Sequence, residues 1–147
     1  MRTLKAPTRR NENDPDVIAG FETFEAIGCA KCHIPTLTTG NSDIAALSNI
    51  EFHAYTDLLL HDMGSDLNDG YPEGSASGGE WRTPPLWGLG LAADSQGGTA
   101  YYLHDGRAST ISGTISFHGG EALQAAEAYF SLSSAEKDQL EKFLNSL

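Results

Sequence analysis

Both cysteines of this 147-residue chain lie in one stretch, "IGCAKCHIP" from Ile27 to Pro35, as Cys29 and Cys32 with His33 directly after. Thiols at that spacing fit a haem anchor, half of a zinc site, a redox dithiol or a disulfide. A structural zinc ion wants four ligands, and no second Cys or His pair stands at ligand spacing. A thioredoxin-like dithiol belongs at the end of a strand in a βαβ unit, a pattern this sequence lacks. A disulfide leaves His33 unexplained. C-x-x-C-H read as c-type haem attachment uses all three residues. Two thiols three residues apart on one turn reach the two vinyl groups of a porphyrin, and the next side chain projects an imidazole at the iron. The motif therefore predicts one covalent haem c, with Cys29 and Cys32 as thioether links and His33 as proximal iron ligand. The opposite face of the iron has five candidates: Met63, His53, His61, His104 and His118. Met63 is followed by a glycine, and Met/His ligation is the common cytochrome c arrangement. Only 30 residues separate it from His33, a short path round a haem edge.

The elements that must position these residues read mainly as helix and loop. Asn13 or Asp14 as N-cap, Pro15 at the first helical position and Asp16 at the positive helix end predict a helix start. Val17, Ile18, Phe21, Phe24 and Ile27 form its apolar stripe, and Gly28 ends it. Gly20 interrupts that helix at a cost of about 1 kcal/mol against alanine, which close approach by another helix would explain. From Pro35 to Gly98 the chain reads as loop, with Asp57–Met63 a short helix or extended segment and "SDLNDGYPEGSASGGE" a long excursion. Ala108–His118 and Glu121–Phe130 read as helices. Ser133 with Glu136 predicts a capping box opening a last helix that carries Leu140, Phe143, Leu144 and Leu147 on one face. No strand pattern of useful length is visible. The expectation is an all-α domain with long loops around one haem: a flexible basic arm over 1–12, then a single domain over 13–147.

Composition narrows the partners. Of the nine basic residues, four fall in the first ten positions, and the rest of the chain sets five against twenty acidic ones; the net charge is −11. Such a surface repels nucleic acid and anionic lipid and suits a basic protein partner. No apolar run approaches membrane-spanning length, and Met1 leads into a polar, basic stretch rather than a signal-peptide core.

Three stretches carry a family resemblance: "HAYTDLLLHDMGSDLNDG", "GEWRTPPLWGLG" and "YYLHDGRAST" with the later "HGGEA". They resemble the C-terminal haem domain of the bacterial di-haem oxidoreductases, also labelled thiol oxidoreductases, which are distantly similar to MauG and bacterial cytochrome c peroxidases. The stretch from Gly20 and Phe24 to the Cys pair also resembles the opening of cytochromes c, where the first helix crosses the last, and so implies an all-α, cytochrome c-like domain; Gly20 against Phe143 would be that crossing here. The resemblance spans nearly all of Gly20–Leu147, with one departure: the family has two C-x-x-C-H motifs, and this chain has one.

In these relatives a distal residue follows an "HDG" motif at a similar offset. The matching position here is His118, fourteen residues after His104. The resemblance thus favours His118 as distal iron ligand, with Met63 the alternative. Arg82 and Arg107 are candidate propionate contacts, and Trp81 and Trp87 candidate pocket walls. The implied function is single-electron transfer through a six-coordinate haem; the alternative is the catalytic or electron-input half of a di-haem oxidoreductase or peroxidase. Whether the chain is an enzyme stays open. The implied partner is a redox protein with a basic surface, or a second haem domain. Covalent haem attachment outside the bacterial cytoplasm implies a periplasmic or extracellular setting.

Overall fold

The computed structural model describes residues 6–147. The frame is the packing of α1 (Pro15–Ala26) against α5 (Ser134–Ser146), which brings the two ends of the chain together. Each helix begins where its cap residues dictate. Asp14 accepts a hydrogen bond from the Asp16 amide with Pro15 at the first helical position, and Ser133 and Glu136 form a reciprocal capping box. Gly20 is the contact point. A Cβ built there would lie 2.0 Å from the Gln139 carbonyl oxygen and 2.8 Å from Phe143 Cβ, so only a glycine lets the helices come this close.

Around that contact Val17, Phe24, Tyr55, Ile111, Tyr129, Leu140, Phe143 and Leu144 form one buried cluster. The Phe143 ring is its hub, with centroids 5.3 Å from both Phe21 and Phe24 and 5.7 Å from Tyr55. Such aromatic pairs contribute about 0.5–1.5 kcal/mol each beyond their burial.

The long middle is not all loop. β1 (Leu37–Thr38) pairs antiparallel with β2 (Glu51–Phe52), and β3 (Leu60–Asp62) with β4 (Glu80–Arg82), in register His61 to Trp81. The all-α expectation is therefore corrected: the described residues are 42% helix and 10% strand, with two small sheets. Ribbons of two or three residue pairs are too short to print an alternating pattern. The second is closed by β4 side chains bonded to the backbone of the connecting loop: Trp81 Nε1 donates to the Leu67 carbonyl at 2.9 Å, and Glu80 accepts from the Ser77 amide at 2.7 Å.

The remaining helices are short: α2 (Ala92–Ser95), α3 (Ile111–Ser116), capped by the Thr110 hydroxyl, and α4 (Leu123–Ser131). The helix expected over Ala108–His118 is thus six residues long, and His118 lies just beyond its end. The expected arm over 1–12 lies outside the described residues as far as residue 5. Beyond that, Arg10 is laid on the end of α5: its amide donates to the Ser146 carbonyl at 2.8 Å and its guanidinium to that of Asn145.

Candidate haem site

A cavity of about 630 Å³ opens between the 28–33 turn, the β4 segment, α3, α4 and α5, within the usual range for small-molecule and cofactor pockets. Gly28, at φ +95°, ends α1 in a left-handed turn, and Cys29–Lys31 wind into a single 3₁₀ turn with the His33 amide donating to the Cys29 carbonyl. That tight winding puts Cys29, Cys32 and His33 on one wall. Both cysteines are free thiols. Burial pushes the Cys29 thiol up to about 11; Cys32 is also raised, by burial first and then by the carboxylates of Asp57 and Glu121.

His33 donates from Nδ1 to the Tyr55 carbonyl at 3.1 Å. Tyr55 adopts φ +56°, a rare conformation for a bulky residue. Burial of its ring beside Phe24 and Phe143 offsets that strain and leaves the carbonyl facing His33. Burial drives the His33 imidazole down to about 4, so it is neutral at pH 7. With Nδ1 carrying the proton, Nε2 is left as a lone pair.

His118 repeats the arrangement. It lines the same cavity, donates from Nδ1 to the Thr114 carbonyl at 2.9 Å, and has its pKa lowered by burial. Among the described residues, no hydrogen-bond partner is found for Nε2 of either ring. A donated Nδ1–H that fixes the tautomer is the support that metal-ligating histidines ordinarily have.

Met63, on the loop after β3, lines the cavity too, so both candidates for the second ligand are brought to it. Arg82 also borders the cavity from β4, while its side chain reaches solvent. Arg107 is placed elsewhere: it pairs with Asp105, donates to the Asp66 carbonyl and lies over the Phe117 ring. Trp87 is outward, its ring 6.0 Å from that of Phe52. Trp81 is the tryptophan of the cavity wall, stacked on His104 with centroids 3.7 Å apart and planes 11° off parallel. His53 is exposed and bonds Thr36 at 2.9 Å.

One constellation was not foreseen from the sequence. His61 lies between two carboxylates, Nε2 at 2.8 Å from Asp57 and Nδ1 at 2.9 Å from Glu121, and these hydrogen bonds raise its pKa. Donor atoms of Cys32, Asp57 and His61 fall within 4.8 Å of one another, a set that a thioether-bonded Cys32 would not complete. The Asp57/His61 spacing is the only trace of this in the sequence, since Glu121 lies sixty residues further on.

The sequence profile of the family described as "di-haem oxidoreductase, putative peroxidase" matches residues 1–147. The chain belongs to the di-haem oxidoreductase family. No curated protein and no solved structure matches it. The family is one of haem redox proteins, and the cavity of this di-haem oxidoreductase chain suits that group. Its walls are largely apolar, a thiol pair stands beside an imidazole, and two neutral imidazoles present free Nε2 atoms. The chain carries a single C-x-x-C-H, where the family name implies two haems. Among the described residues no helix is long and apolar enough to cross a membrane.

Proposed function

We propose that this chain carries single electrons through one covalently attached haem c, with Cys29 and Cys32 as thioether links, His33 as proximal ligand and His118 as distal ligand. The observation that carries the reading is the matched pair of histidines: two part-buried, neutral imidazoles on one cavity, each held by a backbone carbonyl through Nδ1. The group supplies a one-electron Fe(III)/Fe(II) couple when bound. The chain does the rest. Tyr55 and Thr114 keep both rings in the tautomer that offers Nε2, and burial keeps both unprotonated, so neither is lost to acid near neutral pH. The apolar walls limit water, which leaves the potential to be tuned by ligand type; a second imidazole gives a lower potential than a thioether. Arg82, which borders the cavity, would pair with a propionate.

The acidic surface favours a basic redox partner met through weak, salt-sensitive encounters. Attachment by the thioether machinery puts the working protein in the periplasm or outside the cell. A second reading, in which the chain is the catalytic or electron-input half of a di-haem oxidoreductase, is favoured by the family description alone.

Exogenous-ligand binding separates the two. The purified ferric protein is expected to be low-spin and to leave cyanide and peroxide unbound, because both axial positions are filled from the chain. A high-spin ferric spectrum, or prompt cyanide binding, overturns the carrier reading in favour of the catalytic one.

A further inference from the structure

Two segments bearing the rival ligands run in backbone contact at the cavity edge. A Cβ on Gly120 would lie 2.2 Å from the Asp62 carbonyl oxygen, one on Gly119 2.9 Å from that of Met63, and one on Gly64 2.8 Å from the Gly120 nitrogen. The contact is thus built from three glycines that admit no side chain between the strands of chain. It is fastened by one carboxylate. Glu121 accepts from the Asp62 amide at 3.0 Å through one oxygen and from His61 Nδ1 at 2.9 Å through the other. His61 donates its second nitrogen to Asp57 at 2.8 Å, and Asp57 in turn accepts from the Leu59 amide at 2.9 Å.

We infer that Asp57, His61 and Glu121 form a clasp that decides which side chain stands opposite His33, by holding the His118 turn fixed against the Met63 loop. The inference rests on the reading of His118 as distal ligand. His118 is three residues before Glu121, and Met63 two residues after His61, so each ligand hangs on one half of the clasp. On its other side His118 is tied to α3 by its bond to Thr114. With Glu121 in place, the turn Gly119–Gly120 has no freedom to swing and the ring stays over the cavity. With Glu121 removed, the ties left between the halves among the described residues are backbone contacts at glycines and the Arg107 side chain, which donates to the Asp66 carbonyl and lies over Phe117, and neither grips the His118 turn by a hydrogen bond. Glu121 is half-exposed, and an exposed ion pair contributes little to global stability. The part it plays is therefore positional. His61 and Glu121 are positioning residues: they act through His118 and Met63 and touch no reacting atom.

The test uses the haem-loaded protein and its ferric absorption and paramagnetic resonance spectra. Wild type is expected to be low-spin without the far-red band of a thioether–iron bond. Glu121→Ala is expected to lower the ratio of His118-ligated to other forms severalfold, up to about fivefold, as loss of an exposed charged contact would. The displaced fraction is read as a high-spin signal or as the thioether band. Glu121→Gln is expected to restore the wild-type spectrum, since its amide can accept from Asp62 and donate to His61 Nδ1 while His61 still donates to Asp57. His61→Ala provides an independent second cut of the same chain, should Glu121→Ala fail to load haem. The comparison of variant with wild type judges the clasp: unchanged ligation in both alanine variants overturns it. The wild-type spectrum alone judges His118: a thioether band there overturns that reading, and the clasp still stands or falls on whether the variants change the ligand.

Discussion

Gly20→Ala is the substitution in which local propensity and packing pull hardest in opposite directions. On an exposed helix the change would gain about 1 kcal/mol. Here the added methyl would sit 2.0 Å from the Gln139 carbonyl oxygen and 2.6 Å from its carbon, backbone atoms with no rotamer to yield. Ordinary contact begins near 3.4 Å, so α1 and α5 must part by more than an ångström. That parting loosens the Phe143 ring from Phe21 and Phe24, the centre of the core. Overpacking of this kind costs about 1–3 kcal/mol, and loosened aromatic contacts add to it. A net loss of about 3 kcal/mol lowers Tm by roughly 6–12 °C in a domain of this size. The assay is thermal unfolding of the haem-loaded protein followed by circular dichroism. An unchanged or higher Tm refutes the claim that Gly20 is required by the helix contact, and reduces it to a chance glycine.

Three further outcomes follow from the same geometry. Ser133→Ala removes a side chain that accepts from the Glu136 amide and breaks the capping box of α5, at a cost of about 1 kcal/mol in urea unfolding. His33 is neutral when folded, with its pKa pushed down to about 4. Unfolded, it titrates near ~6.5, so between those values the unfolded chain binds the extra proton and the folded state loses stability as pH falls. In the haem-free chain, where no iron competes for Nε2, the full effect is about 3 kcal/mol, lost between pH ~6.5 and ~4 and absent above; a urea midpoint of that chain that is flat across the window contradicts the neutral, part-buried imidazole. Replacing both Cys29 and Cys32 by alanine is expected to abolish haem staining of the protein on a denaturing gel. Haem that stays on the doubly substituted chain after denaturation contradicts the thioether assignment.

The two long helices were legible because their signals are local. Asp14–Pro15 and Ser133–Glu136 mark their own helix starts, and the apolar stripes need only the helical period. The ribbons were not, since each strand is two or three residues long and its partner lies well over ten residues away; pairing, rather than pattern, makes them strands. At the site, Cys29, Cys32 and His33 could be read from spacing, and their shared wall needs only one tight turn. His61 and Glu121 meet across sixty residues, a distance over which a single sequence carries no pairing signal. Arg107 shows the limit of reading by residue type. In the "HDGR" corner it could meet either an acid or a propionate; Asp105 two residues away captures it, and it lies over Phe117 rather than among the cavity-lining residues. Trp87 was likewise chosen by type, while the direction of its side chain depends on Phe52 in another segment.

The claim on which the rest depends is that His33 and His118 face each other across the haem iron. The ferric absorption spectrum of His118→Gly beside wild type tests it most directly. The expected result is a low-spin wild type without the thioether band and a high-spin variant that regains the low-spin form on addition of imidazole. A variant as low-spin as wild type, with the far-red thioether band in both, would contradict it and give the position to Met63.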